Sequence, residues 1–124
     1  MIFQPSAPQV AILTVHLVGA YDSEKSKVTT RARISAKTLR RISLRSVLRE
    51  AFIQEWTDAL GRLGWAAFPI GDHFALIQSK AITGWPRIGS SRIDAVLERV
   101  RRGDNQVFDE LVVANSEDEE TDDE

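Results

Sequence analysis

A chain of 124 residues with 43% hydrophobic and 27% charged side chains can bury a modest core as one domain and is too apolar to stay unfolded. It has no cysteine, which excludes a disulfide framework and a thiolate metal site; with only two histidines, no metal centre is expected. The formal charge of −2 conceals a segregation: the run "SEDEETDDE" at 116–124 holds seven of the 18 acidic groups, while residues 1–115 hold all 16 Lys and Arg against 11 acids, a formal +5.

The apolar run Val10–Val18 is broken by Thr14 and His16, and no Lys or Arg precedes Lys25. It lacks the basic flank of a signal peptide and is too short to span a bilayer, so a cytoplasmic location without a membrane segment is expected. Ser6 and Pro8 form a helix start signal, and Val10, Leu13, Leu17 and Ala20 or Tyr21 follow at helical spacing. Because both faces of the run are apolar, a strand fits the periodicity as well; the length of the run and its start signal favour a helix over 8–21.

"DSEKSKVTT" reads as a polar loop and "RARIS" as a short strand. Ser35 can cap "AKTLRRIS", which puts Leu39 and Ile42 on one side and Lys37, Arg40 and Arg41 on the other. After a light interruption at 43–46, a longer amphipathic helix is predicted from Ser46, with Arg49 and Glu50 in its first turn. Its apolar positions Val47, Leu48, Ala51, Phe52, Trp56, Ala59, Leu60 and Leu63 follow the i, i+3/i+4 pattern, and Gly64 stops it. In "WAAFPIGDHFALIQ" two short apolar runs flank Gly71-Asp72, the signal of a β-hairpin, with Pro69 restricted to an edge or a bulge.

"SKAITGWPRIGSS" is loop-like. Ser90 or Ser91 can cap a further helix, "RIDAVLERVRRG", with Ile93, Val96, Leu97 and Val100 inward and Gly103 as its stop. "DNQVFDELVV" fits a short helix or strand. Residues 1–115 thus read as one domain and 116–124 as a disordered acidic tail, a like-charged run without an apolar residue to offset its ordering entropy. Such a tail can keep the chain soluble, fold back on a basic surface, or recruit a basic partner protein.

That basic surface is "KSKVTTRARISAKTLRRISLRSVLR", residues 25–49, which carries nine Lys or Arg and no acid. The cations cannot pair within the segment, so they need nucleic acid, another protein or the acidic tail. Catalysis is not expected. Asp72 and His73 are adjacent and should point to opposite faces of a strand, and no glycine cluster forms a phosphate-cradling loop. No cofactor is implied. Trp56 and Trp65 read as core, whereas Trp85, beside Pro86 and Arg87, is the tryptophan to check for exposure.

The order helix, short strand, helix, tight break, longer helix and hairpin resembles that of winged helix-turn-helix proteins over residues 8–79. It rests on "ISAKTLRRISLRSVLREAF" and "LGWAAFPIGDHFALI". The resemblance implies an α+β fold and a non-enzymatic DNA-binding protein that regulates transcription or replication; a homodimer is compatible with it. The second helix of the pair would enter the major groove, with Ser43, Arg45, Ser46 and Arg49 nearest the base edges. Lys25, Lys27, Arg31, Arg33, Lys37, Arg40 and Arg41 would face phosphates. The chain departs from this pattern in the middle of the long helix, which exposes Gln54, Glu55 and Asp58 rather than bases. The alternative is a protein-interaction or inhibitor module of phage or plasmid type that docks an acidic partner through the same basic face.

Overall fold

The computed structural model describes residues 3–122, with side chains through residue 116. Among these residues an α+β fold forms from six α-helices and a three-stranded antiparallel sheet: α1 (Ala7–Lys25), β1 (Arg31–Ser35), α2 (Ala36–Ser43), α3 (Glu50–Arg62), β2 (Trp65–Ile70), β3 (His73–Gln78), α4 (Ser79–Ile82), α5 (Asp94–Arg101) and α6 (Gln106–Asp122). They group into two compact units divided after Trp85. No helix among them is long and apolar enough to cross a membrane.

Segment 8–21 is helical, and its start is set by a capping box. The Gln9 N–H donates to the Ser6 hydroxyl (3.3 Å), the Ser6 N–H donates to Gln9 Oε1 (2.9 Å), and Pro8 sits where no N–H is needed. Val10, Ala11, Thr14 and Val18 of α1 are buried, and its other face leaves Ile12, Leu13 and Tyr21 exposed. The apolar residues on that second face are why periodicity could not separate helix from strand.

The core joins α1, α2, α3 and the sheet. Trp56 of α3 is fully buried and meets Phe74 of β3 edge-on, with ring centroids 5.3 Å apart. Its indole N–H donates to the Thr14 hydroxyl (3.1 Å), which donates in turn to the Val10 carbonyl (2.8 Å). A buried polar pair is thereby satisfied without water. Leu39, at 0% exposure, fastens α2 to this core, with Ala36 and Ile42 packed against it as well. Burying such a leucine stabilises the fold by about 1.5–3 kcal/mol.

The long amphipathic helix begins at Glu50, not at Ser46. α2 ends at Leu44, whose φ of 55° is left-handed, a conformation that costs a non-glycine residue roughly 1–2 kcal/mol. The chain then runs through 44–49 without helical structure to Arg49, the N-cap of α3. Val47 and Leu48 imitate the helical period, yet Val47 is exposed. Gly64 ends α3 at φ 88°, where a side chain would be strained.

Strand order is β1-β3-β2. Gly71, at φ 59°, turns the β2–β3 hairpin, in which Trp65 faces Gln78 and Ile70 faces His73. The Ser79 N–H donates to the Gly64 carbonyl (2.9 Å), so by alternation Pro69 lies at a position whose nitrogen points away from β3. That is where an edge strand tolerates proline.

In the second unit a 3₁₀ turn (Ser91–Ile93) precedes α5. Neither Ser90 nor Ser91 caps α5; Ile93 stands at the N-cap, with no side-chain hydrogen bond. Gly103 (φ 82°) ends the helix as expected. Arg99 clasps the corner that follows, donating to Asp104 (2.9 Å) and Glu110 (2.8 Å), which holds the Asp104 carboxyl below its usual range. Of the segment 104–113, read as a short helix or strand, residues 106–113 are helical and belong to α6. Of the stretch 116–124, expected to be a disordered acidic tail, the backbone of 116–122 continues α6, while 123–124 and the side chains beyond 116 lie outside the described residues.

Candidate nucleic-acid interface

The basic segment begins where α1 ends. Lys25 occupies the last turn of α1, where a cation complements the helix dipole, and Ser26 closes the helix in a left-handed conformation (φ 54°). Asp22 fixes the loop that follows by accepting from both the Thr29 hydroxyl and the Thr29 N–H. Those bonds, hydroxyl first, hold the Asp22 carboxyl below its ordinary range, with a smaller contribution from Lys27. Lys27 extends over the Tyr21 ring, its ammonium 4.9 Å from the centroid.

On β1 the side chains of Arg31 and Arg33 share one face of the sheet and are exposed, while Ala32 and Ile34 turn inward and are half-buried. Ser35 caps α2, its hydroxyl accepting from the Thr38 N–H (3.1 Å). With Leu39 and Ser43 buried, α2 presents Lys37, Arg40 and Arg41 to solvent.

The link from α2 to α3 treats its predicted contacts unequally. Ser43 is buried and its hydroxyl donates to the Arg40 carbonyl (3.2 Å). Arg45 is half-buried; its guanidinium donates to the carbonyls of Pro5 (2.9 Å) and Ser43 (3.0 Å) and lies over the Phe52 ring, 4.1 Å from the centroid. Gln4 reinforces the same corner by donating to the Leu44 carbonyl (3.0 Å). Arg45 therefore pins the arm before α1 to the turn between α2 and α3. Ser46 and Arg49 are exposed, and Arg49 carries no side-chain cap bond.

Eight of the nine cations in 25–49 are exposed, Arg45 being the exception, and among the described residues none of the nine forms an ion pair. Lys27, Arg31 and Arg33 stand together around an open groove of about 720 Å³ between α1 and β1. Arg45, Ser46 and Arg49 border a smaller recess of about 230 Å³. The exposed face of α3 has the opposite sign, with Glu50, Glu55 and Asp58, and Gln54 donating to Asp58 (3.2 Å). The hairpin 65–78 contains no Lys or Arg, and it exposes Phe68 and Ile70.

Two features escaped the sequence. The partners of Arg45 are main-chain oxygens, one of them 40 residues away, and a carbonyl leaves no mark in a sequence. Asp72 and His73 do not point apart: Asp72 lies in the turn rather than in the strand, and its Oδ1 is 2.7 Å from His73 Nδ1. That bond depresses the Asp72 carboxyl, but both side chains are substantially exposed. Compared with protein-family models, curated proteins and solved structures, the chain matches none.

Proposed function

We propose that this chain is a winged helix-turn-helix protein that binds duplex DNA in the cytoplasm to regulate transcription or replication. The observation that carries the reading is the run of eight exposed cations, unpaired among the described residues, on the end of α1, β1, α2 and the links beside them. The order helix, strand, helix, helix, hairpin, with β1 beside β3, is compatible with it. Phosphates would be held by Lys25, Lys27, Arg31, Arg33, Lys37, Arg40 and Arg41. The acidic middle of α3 restricts any approach to base edges to the link that enters its N-terminal end, at Ser46 and Arg49. Arg45 would support that end from beneath.

A labelled random duplex titrated with the full chain over a salt series tests the reading. Counterion release requires affinity to fall steeply and linearly on logarithmic axes, by about 0.9 in slope per neutralised phosphate. Absence of binding at low salt overturns it. The second reading, docking of an acidic protein partner on the same cations, is favoured by the hairpin, which offers phosphates no base and exposes Phe68 and Ile70 instead. Competition separates the two: unrelated duplex displaces a labelled cognate duplex on the first reading, and no duplex binds on the second.

A further inference from the structure

We propose that the open edge of β1 is a docking site for an extended peptide that alternates acidic and apolar residues, taken up as a fourth strand. The inference does not depend on duplex binding, because it rests on the β1 backbone and the groove beside it rather than on α2.

The backbone sets the site. β1 lies at one end of the sheet and, among the described residues, pairs only with β3. The Gln78 N–H donates to the Thr30 carbonyl and the Ala36 N–H to the Asp72 carbonyl, each at 2.8 Å. In an antiparallel ladder such exchanges recur at every second residue. Thr30, Ala32, Ile34 and Ala36 therefore turn their polar groups to β3. Arg31 and Arg33 turn both N–H and C=O outward, and Ser35 turns its N–H outward. Among the described residues these outward groups of Arg31 and Arg33 have no hydrogen-bond partner. A row of unpaired donors and acceptors along five residues, roughly 17 Å, is a template for another strand.

The side chains specify what the strand carries. The edge opens into the groove of about 720 Å³, whose apolar lining comes from Leu17, Val18 and Tyr21 of α1 together with Val28 and Ile34. Arg31 and Arg33 project on the opposite face of β1 from Ile34. A strand added at the edge thus places alternate residues against two different surfaces. Those opposite Arg31 and Arg33 meet guanidinium groups that have no ion pair among the described residues, and those between them meet the apolar lining. Opposite charges directly across strands are favourable and like charges are not. The fitting ligand is acidic at every second position and apolar in between, with Lys27 able to reach a further carboxylate at one end.

The probe is a short labelled peptide alternating Glu with Val, titrated against the full chain by fluorescence anisotropy. Saturable binding is expected, about tenfold or more weaker for a peptide of the same composition with its Glu and Val in separate blocks. Methylating peptide nitrogens one at a time should abolish binding at every second position and leave the alternate positions unaffected, because only alternate N–H groups face β1. Arg31→Glu with Arg33→Glu should lose the acidic peptide and gain its Lys-Val counterpart, with an unchanged circular dichroism spectrum excluding misfolding. If the block peptide binds equally well, or if N-methylation shows no period of two, β1 is only part of a polyanion-binding face and the two arginines only keep the edge soluble. Either result overturns the strand site and leaves the duplex reading to its own salt series.

Discussion

α2 and α3 are consecutive helices, yet they divide the work of the fold in opposite ways. α3 buries Phe52, Trp56, Ala59 and Leu60 and shows solvent an acidic face. α2, shorter by more than a turn, buries Leu39 and Ser43 and shows solvent three cations. The helix that would be placed first in a DNA groove by analogy is the one most occupied with holding the core. The cations lie on elements with few anchors. Charge and core demand were assigned to separate segments, so each can be perturbed without the other.

The largest effect should come from the core side of that contrast. Trp56→Ala removes a fully buried indole and leaves Thr14 without its donor; a loss of about 3–5 kcal/mol is expected in urea unfolding. A loss under half of that would mean α3 is not the main anchor. Arg45→Ala comes next, at about 1–2 kcal/mol, since it deletes two bonds to carbonyls and a stacking contact on Phe52. An unchanged melting temperature would return Arg45 to the list of free DNA contacts.

On the α2 side, Arg40→Ala and Arg41→Ala touch exposed side chains and should change stability by less than about 0.5 kcal/mol. Each should nonetheless lower the salt slope of duplex binding by roughly one and weaken all sequences alike. If either variant unfolds readily, structure and charge are not separable here. The smallest effect concerns the loop that carries Lys27. Thr29→Val removes the hydroxyl that depresses the Asp22 carboxyl, so the Asp22 titration followed by NMR should move up toward the ordinary carboxylate range. Because the folded value is depressed, this contact supports the fold above the unfolded pKa, about 3.9, and its support fades as pH falls through the folded value. The variant should show a shallower acid-side loss.

Much of the framework was legible because its signals are local. Ser6 with Pro8, Ser35, Gly64, Gly71 and Gly103 each act within a turn of their own position, and each set a boundary as expected. The hairpin and the edge position of Pro69 also followed from nearest neighbours. The start of α3 did not. Val47 and Leu48 have helical spacing, but a left-handed Leu44 and the distant hold on Arg45 keep 44–49 out of the helix. The cations were visible as a run, whereas their distribution between a groove, a helix face and a structural pin depends on which residues fold against them. The open edge of β1 required the strand order, which pairs residues 38 to 46 positions apart.

The three tryptophans give this chain a built-in optical readout. Trp56 and Trp65, at 0% and 7% exposure, should emit to the blue and resist ionic quenchers. Trp85, at 57% exposure and the last residue of the first unit, should emit to the red and be quenched at once by iodide. A single emission spectrum therefore contains two thermometers. A blue component that reddens on heating reports the melting of the α1–α3–sheet core, and a change confined to the quenchable red component reports the stretch around Trp85 alone. Neither needs a label, a mutation or a ligand.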